Sequence, residues 1–121
     1  MPNDIRVLQA REFIITSVHG ALDLRRSKDE LNRLETEGIF SRGINVLLDI
    51  REAPGKLTLP EVWSFTEEFA RLQTDKGLKT AVLTEAERFD NAEFFAISAK
   101  NMGLKAQAFT SFEDAFEWLA L

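Results

Sequence analysis

Apolar and polar positions repeat one local grammar three times along the chain. The stretches RGINVLL (42–48), KGLKTAV (76–82) and MGLKAQA (102–108) each run through Gly, then Ile or Leu, a polar residue and an apolar strand. Each follows a helical spacing of apolar residues, and a glycine just past a helix supplies the left-handed conformation that ends it. Three such helix-stop-strand units imply alternating strands and helices, hence a largely parallel sheet with helices packed on it. Two more strand-like runs, IRVLQARE and FIITSVHGALD, come first with only a short polar link, which predicts a hairpin or a sheet-edge pair.

The elements expected are β1 (5–11), β2 (13–19), α1 (28–40), β3 (44–50), α2 (59–73), β4 (79–84), α3 (90–102), β5 (105–110) and α4 (112–120). Four helix starts carry a capping oxygen with an acid three residues on: Ser27 with Glu30, Thr58 with Glu61, Asp90 with Glu93, and Ser111 with Asp114. The second is the fullest, because Pro60 falls in a first turn whose N–H groups lack partners anyway.

The helical stripes divide into core and remainder. On α2, Val62, Phe65, Phe69 and Leu72 share a face, and Trp63 falls toward its flank. On α3, Ala92, Phe95, Ala96, Ala99 and Met102 form the buried stripe, while Phe94 and Ile97 point nearly the opposite way. On α4, Phe112, Ala115, Phe116 and Leu119 read as core, with Trp118 at the edge. A helix packed on one side of a sheet has no use for a second apolar face, so Phe94, Ile97 and Trp118 are candidate interface residues. Trp63, Phe65 and Phe69 are the alternative candidates, for an apolar ligand pocket under α2.

Composition narrows the chemistry. The 121 residues suit one domain, 1–121, and 45% hydrophobic content suffices for a core without staples. The absence of cysteine removes disulfides, thiolate metal sites and cysteine nucleophiles together. Net charge is −5, and the densest cationic cluster, LRRSK (24–28), is flanked by Asp23, Asp29 and Glu30. Nucleic acid is therefore not an expected partner, since that binding rests on neutralising phosphates. No apolar run reaches the roughly 20 residues that span a bilayer. The N-terminus lacks the basic-then-apolar order of a signal peptide, and a cytoplasmic protein is expected.

The catalytic inventory is thin. His19 is the single histidine, at a strand end, and there is no tyrosine. Local spacing places no serine, acid or thiol beside His19 for general-base work, so a structural role is the simpler reading. Asp49 closes a central strand at the edge where open α/β sheets bind ligands, and Asp23 and Glu85 lie at corresponding strand ends. Nothing in their spacing defines a metal site. Neither a catalytic set nor a cofactor is expected. Thr58 has two compatible readings, a helix cap worth about 1 kcal/mol and a phosphorylatable switch at a helix head.

VHGALDL (18–24) followed by SKDELNRL, then NVLLDI (45–50), a short link and a helix, resembles the STAS fold of SpoIIAA-type anti-sigma-factor antagonists. AFTSFEDAFEWL (108–119) resembles that family's last strand and closing helix. The similarity covers most of residues 13–120 and is nearest to the SpoIIAA-like branch described together with SEC14-type lipid-binding folds. It implies an α/β domain in the order ββαβαβαβα, with a mixed, mostly parallel five-stranded sheet flanked by four helices. It also implies a protein-binding role centred on the loop before α2 and the adjoining helix. In the regulatory branch that loop carries Asp-Ser-Ser-Gly or a close variant, whose hydroxyl a kinase-type partner phosphorylates. Here GKLT (55–58) falls in its place, Thr58 is its one hydroxyl, and the flanking Asp and Gly are absent. With Asp49 as the acid before the loop, the expectation is a non-enzymatic module that binds a protein partner or its own copy without the usual phosphoswitch. The alternative is a binder or sensor of a small apolar, lipid-like ligand.

Overall fold

The computed structural model describes residues 3–8, 13–73 and 77–121. The strands are β1 (Asn3–Leu8), β2 (Phe13–Val18), β3 (Asn45–Asp49), β4 (Lys79–Leu83) and β5 (Lys105–Phe109). The helices are α1 (Leu24–Thr36), α2 (Leu59–Leu72), α3 (Phe89–Asn101) and α4 (Phe112–Ala120), with a 3-10 turn at Ala86–Arg88 leading into α3. Strand order equals chain order. The sheet is five-stranded and mixed: β2 to β5 run parallel, and β1 is added antiparallel to β2 as an edge. The last three residues of the expected β1 lie outside the described residues.

Because each parallel crossover steps to the next strand in the same direction, right-handedness places α1, α2 and α3 on a single face. Strand alternation then sorts the core. Ile14, Val46, Leu48, Val82, Ala106 and Ala108 face those three helices, whereas Phe13, Leu47, Ala81, Leu83 and Phe109 face α4. Phe69 of α2 is 1% exposed and packs against Phe40 and Phe95. On the other side Phe13 meets Phe116 edge to face at 5.5 Å. Both faces of the sheet are thus covered, as a mostly parallel sheet requires.

Two helix starts differ from the sequence reading. The cap of α1 is Asp23, whose Oδ1 accepts from the Arg26 N–H at 2.8 Å, and Ser27 lies inside the first turn, donating to the Asp23 carbonyl. The Ser27 N–H already donates to the Asp23 carbonyl at 3.0 Å, so it leaves no orphan donor for Glu30, which accepts from Arg33 instead. At α3 the N-cap is Arg88 with no side-chain cap, and Asp90 is already within the first turn. Ser111 does cap α4, accepting from the Asp114 N–H at 3.3 Å. The end of α1 also moves. It stops at Thr36 with Gly38 left-handed behind it, and Gly43, left-handed as the repeat predicts, ends a separate turn through Ile39 and Phe40 before β3. Ile39 and Phe40 still enter the core, which is why apolar spacing alone prolongs the helix.

The stop after α3 is as the repeat predicts. Gly103 has φ +88°, its N–H reaches the Lys100 carbonyl, and the Leu104 N–H reaches that of Ala99. These are the paired bonds of a Schellman end. The third stop, Gly77, adjoins residues 74–76, which lie outside the described residues. A Cβ at Gly103 would meet nothing within 4 Å, so Gly103→Ala isolates the backbone term. It should lower unfolding free energy by about 1 kcal/mol in urea titration, and an unchanged midpoint would show that the end tolerates an ordinary residue.

Candidate functional site

At the carboxyl edge of the sheet, β3 passes into α2 through residues 50–58, a link outside any strand or helix. Their carbonyls find donors elsewhere. Arg88 Nη1 donates to the carbonyls of Ala53 (2.6 Å) and Gly55 (2.9 Å), and Nη2 to that of Ile50 (2.7 Å). Nη2 also pairs with Glu85 at 2.6 Å, and the Arg88 side chain is only 12% exposed. Asn91 Nδ2 donates to the Leu57 carbonyl, and the Leu22 N–H donates to Pro54 at 2.7 Å. This close approach accounts for Gly55. Its φ is +96°, and a Cβ there would stand 3.2 Å from the Leu22 carbonyl oxygen. The link ends in a complete capping box: Thr58 Oγ1 accepts from the Glu61 N–H, and Glu61 Oε1 accepts from the Thr58 N–H.

Behind the link lies a cavity of about 480 Å³ on the three-helix side of the sheet. Val18, Leu48, Ile50 and Val82 form its floor, Leu57, Val62 and Phe65 one wall, and Ala92 and Phe95 another. Its polar groups come from the first turns of α1, from Lys56 and from the head of α3. Arg33 at this rim is bound to Glu30 and Glu37, and the hydrogen bonds it donates to Glu30 raise its guanidinium above the ordinary pKa. A cavity of this size falls in the range of small-molecule sites.

The candidates do not converge on one place. Thr58 is exposed at the cap of α2. Asp49 uses both carboxylate oxygens on Arg51 and, by strand alternation with Leu47, belongs to the α4 side of the sheet. Phe65 lines the cavity. Phe69 does not, because it is packed between Phe40 and Phe95, and Trp63 is turned outward at 44% exposure. Ile97 is 50% exposed, whereas Phe94 is half-buried and packs on the core. Trp118 lies with α4 on the opposite face, tilted against Phe109 at 5.7 Å and beneath Lys79 Nζ. The three proposed interface residues therefore form no single patch.

The acids at the strand ends are likewise separate. Asp23 caps α1 and Glu85 binds Arg88, while His19 Nδ1 is 3.2 Å from Glu52. Among the described residues no group of three or more His, Cys, Asp or Glu could hold a metal ion. Sequence reasoning missed Arg88 and Asn91. Their partners lie 33 to 38 residues away, so no local spacing marks them.

Removing either device has a distinct signature. Arg88→Ala should lower stability by about 2 kcal/mol and speed hydrogen exchange of the amides in 50–58 while leaving α4 unchanged; equal protection of the link would exclude Arg88 as its anchor. Thr58→Ala should lower stability by about 1 kcal/mol without loosening the link upstream.

No family model matches the chain, and no curated protein matches it. Among solved structures, it is similar to an uncharacterised protein of the DUF3478 family with a SpoIIAA-like fold from Shewanella loihica PV-4. The two are 20% identical, with a TM-score of 0.63 over 97% of this chain and 91% of that one. No helix among the described residues is long and apolar enough to cross a membrane. Parallel sheet, four helices and a correspondence over nearly the whole of both chains together establish the SpoIIAA-like fold for this protein.

Proposed function

We propose that this chain is a non-enzymatic, regulatory protein-interaction module whose contact surface is the β3–α2 link and the head of α2. One observation carries the reading. Leu59 and Trp63, one helical turn apart on α2, are 52% and 44% exposed immediately beyond a link that Arg88 and Asn91 hold in place. An exposed Trp beside an aliphatic residue on a rigid element is the kind of anchor that dominates protein interfaces. The SpoIIAA-like fold supports the reading, since the resemblance to anti-sigma-factor antagonists puts partner contact at this loop and helix.

Thr58 serves this surface as a cap rather than a switch. Its Oγ1 is engaged by the Glu61 N–H, and Pro60 follows within the first turn. Ile97 on α3 offers a second, separate contact point.

The test combines Leu59→Glu with Trp63→Glu, both at exposed positions. Circular dichroism and melting should be unchanged, while self-association in sedimentation velocity, or capture of a protein partner from the native cells, should fall at least tenfold. Retention of both would defeat the proposed surface. Ile97→Asp should behave in the same way if α3 contributes, with a smaller loss. Phe94→Asp is the wrong probe, because that side chain packs on the core and its loss would destabilise the fold itself.

A further inference from the structure

The cavity behind the β3–α2 link has a composition that bears on what it holds. Its floor and walls are aliphatic and aromatic, contributed by strands and helices that are closely packed elsewhere. Protein interiors close such space when nothing occupies it, because each unfilled volume forfeits dispersion contacts. Here the walls are kept apart by a link fastened to α3 and to the β2–α1 connection, so collapse is opposed by Arg88, Asn91 and Leu22.

Charge gives the opening a sign. The chain as a whole carries −5, yet Arg26, Arg33, Lys56 and Arg88 border the cavity against only Asp29 and Glu30. Two of these cations are committed: Arg33 to Glu30 and Glu37, Arg88 to the link and Glu85. Arg26 has only a 3.7 Å contact with Asp23. Lys56 is exposed and has no ion pair among the described residues. Two cations thus remain available at the rim of an apolar chamber, against the single carboxylate of Asp29.

We infer that the cavity binds a small single-chain amphiphile bearing one carboxylate. Its apolar body lies against Val82, Phe65 and Phe95, and its anionic group sits at the rim between Lys56 and Arg26. This site shares Lys56 with the link of the docking surface proposed above, but its apolar chamber is distinct from that surface's anchors, since Leu59 and Trp63 do not line it. The occupant is taken from solution as a monomer. A carboxylate presented on a membrane offers the same head chemistry, and the vesicle arm of the test separates the two.

The full chain is titrated with decanoate, below the concentration at which it forms micelles, by calorimetry and amide chemical-shift mapping. Decyltrimethylammonium serves as the chain-matched cation. Saturable one-to-one binding of decanoate is expected, with shifts confined to the link and the heads of α1 and α3, and at least tenfold weaker binding of the cation. Lys56→Glu should weaken decanoate roughly five- to tenfold. Val82→Phe, which fills the floor, should abolish binding in a protein that still melts cooperatively. Ala21→Trp, at an exposed position of the mouth, should do so without touching the core and decides the matter if Val82→Phe does not fold. The site is overturned by absence of saturation, by binding that survives Ala21→Trp, or by equal affinity for the cation. Binding to phosphatidylglycerol vesicles with none to free decanoate would also overturn it, assigning the rim to a membrane surface.

Discussion

The carbonyls between β3 and the cap of α2, residues 50–57, belong to no strand or helix, and the site region is organised around how they are paired. A backbone acceptor left without a partner away from water carries a penalty comparable to a lost hydrogen bond. Arg88 answers this with a planar fork of donors that reaches several carbonyls at once, which a lysine ammonium on a flexible stem does less well. The link is consequently a wall with a defined inner and outer side rather than a loose connection.

That wall separates two surfaces with different chemistry. Its inner side, through Ile50 and Leu57, closes an apolar cavity. Just past its outer end, α2 presents Leu59 and Trp63 to solvent. Both consequences follow from the topology. Successive right-handed crossovers put three helices on one face and bring their heads to the carboxyl edge of the strands, where connecting segments can line a shared space. The fourth helix, on the other side, seals the opposite core through Phe13, Phe109 and Phe116 and takes no part in the site.

Local rules served well where the chemistry is local. The capping box at Thr58 and the helix end at Gly103 depend on groups within a few residues, and both formed as their patterns predict. They served less well where one local rule competed with another. Ser27 and Glu30 match a capping box, but Asp23 offers an earlier cap and Arg33 claims Glu30. At α3 the Asp90 pattern yields to an N-cap two residues earlier, at Arg88, led by the 3-10 turn from Ala86. Apolar spacing likewise carried α1 past Gly38, because Ile39 and Phe40 remain core residues after the helix has ended.

What the sequence determined by itself is the alternation of elements, the parallel character of the sheet and the residue types of the core, since periodicity and helix ends are written within short windows. The tertiary structure alone decided which apolar residues outside the main stripes are buried. Phe94 packs inward and Ile97 does not, Trp118 is placed on the far side of the sheet from both, and of the three aromatic candidates for a pocket only Phe65 reaches one. It also decided the role of Arg88, an unremarkable residue in its own neighbourhood whose carbonyl partners lie more than thirty positions away. Helical period gives the direction of a side chain about its own axis, but whether that direction meets a neighbour, a cavity or water depends on elements remote in the chain.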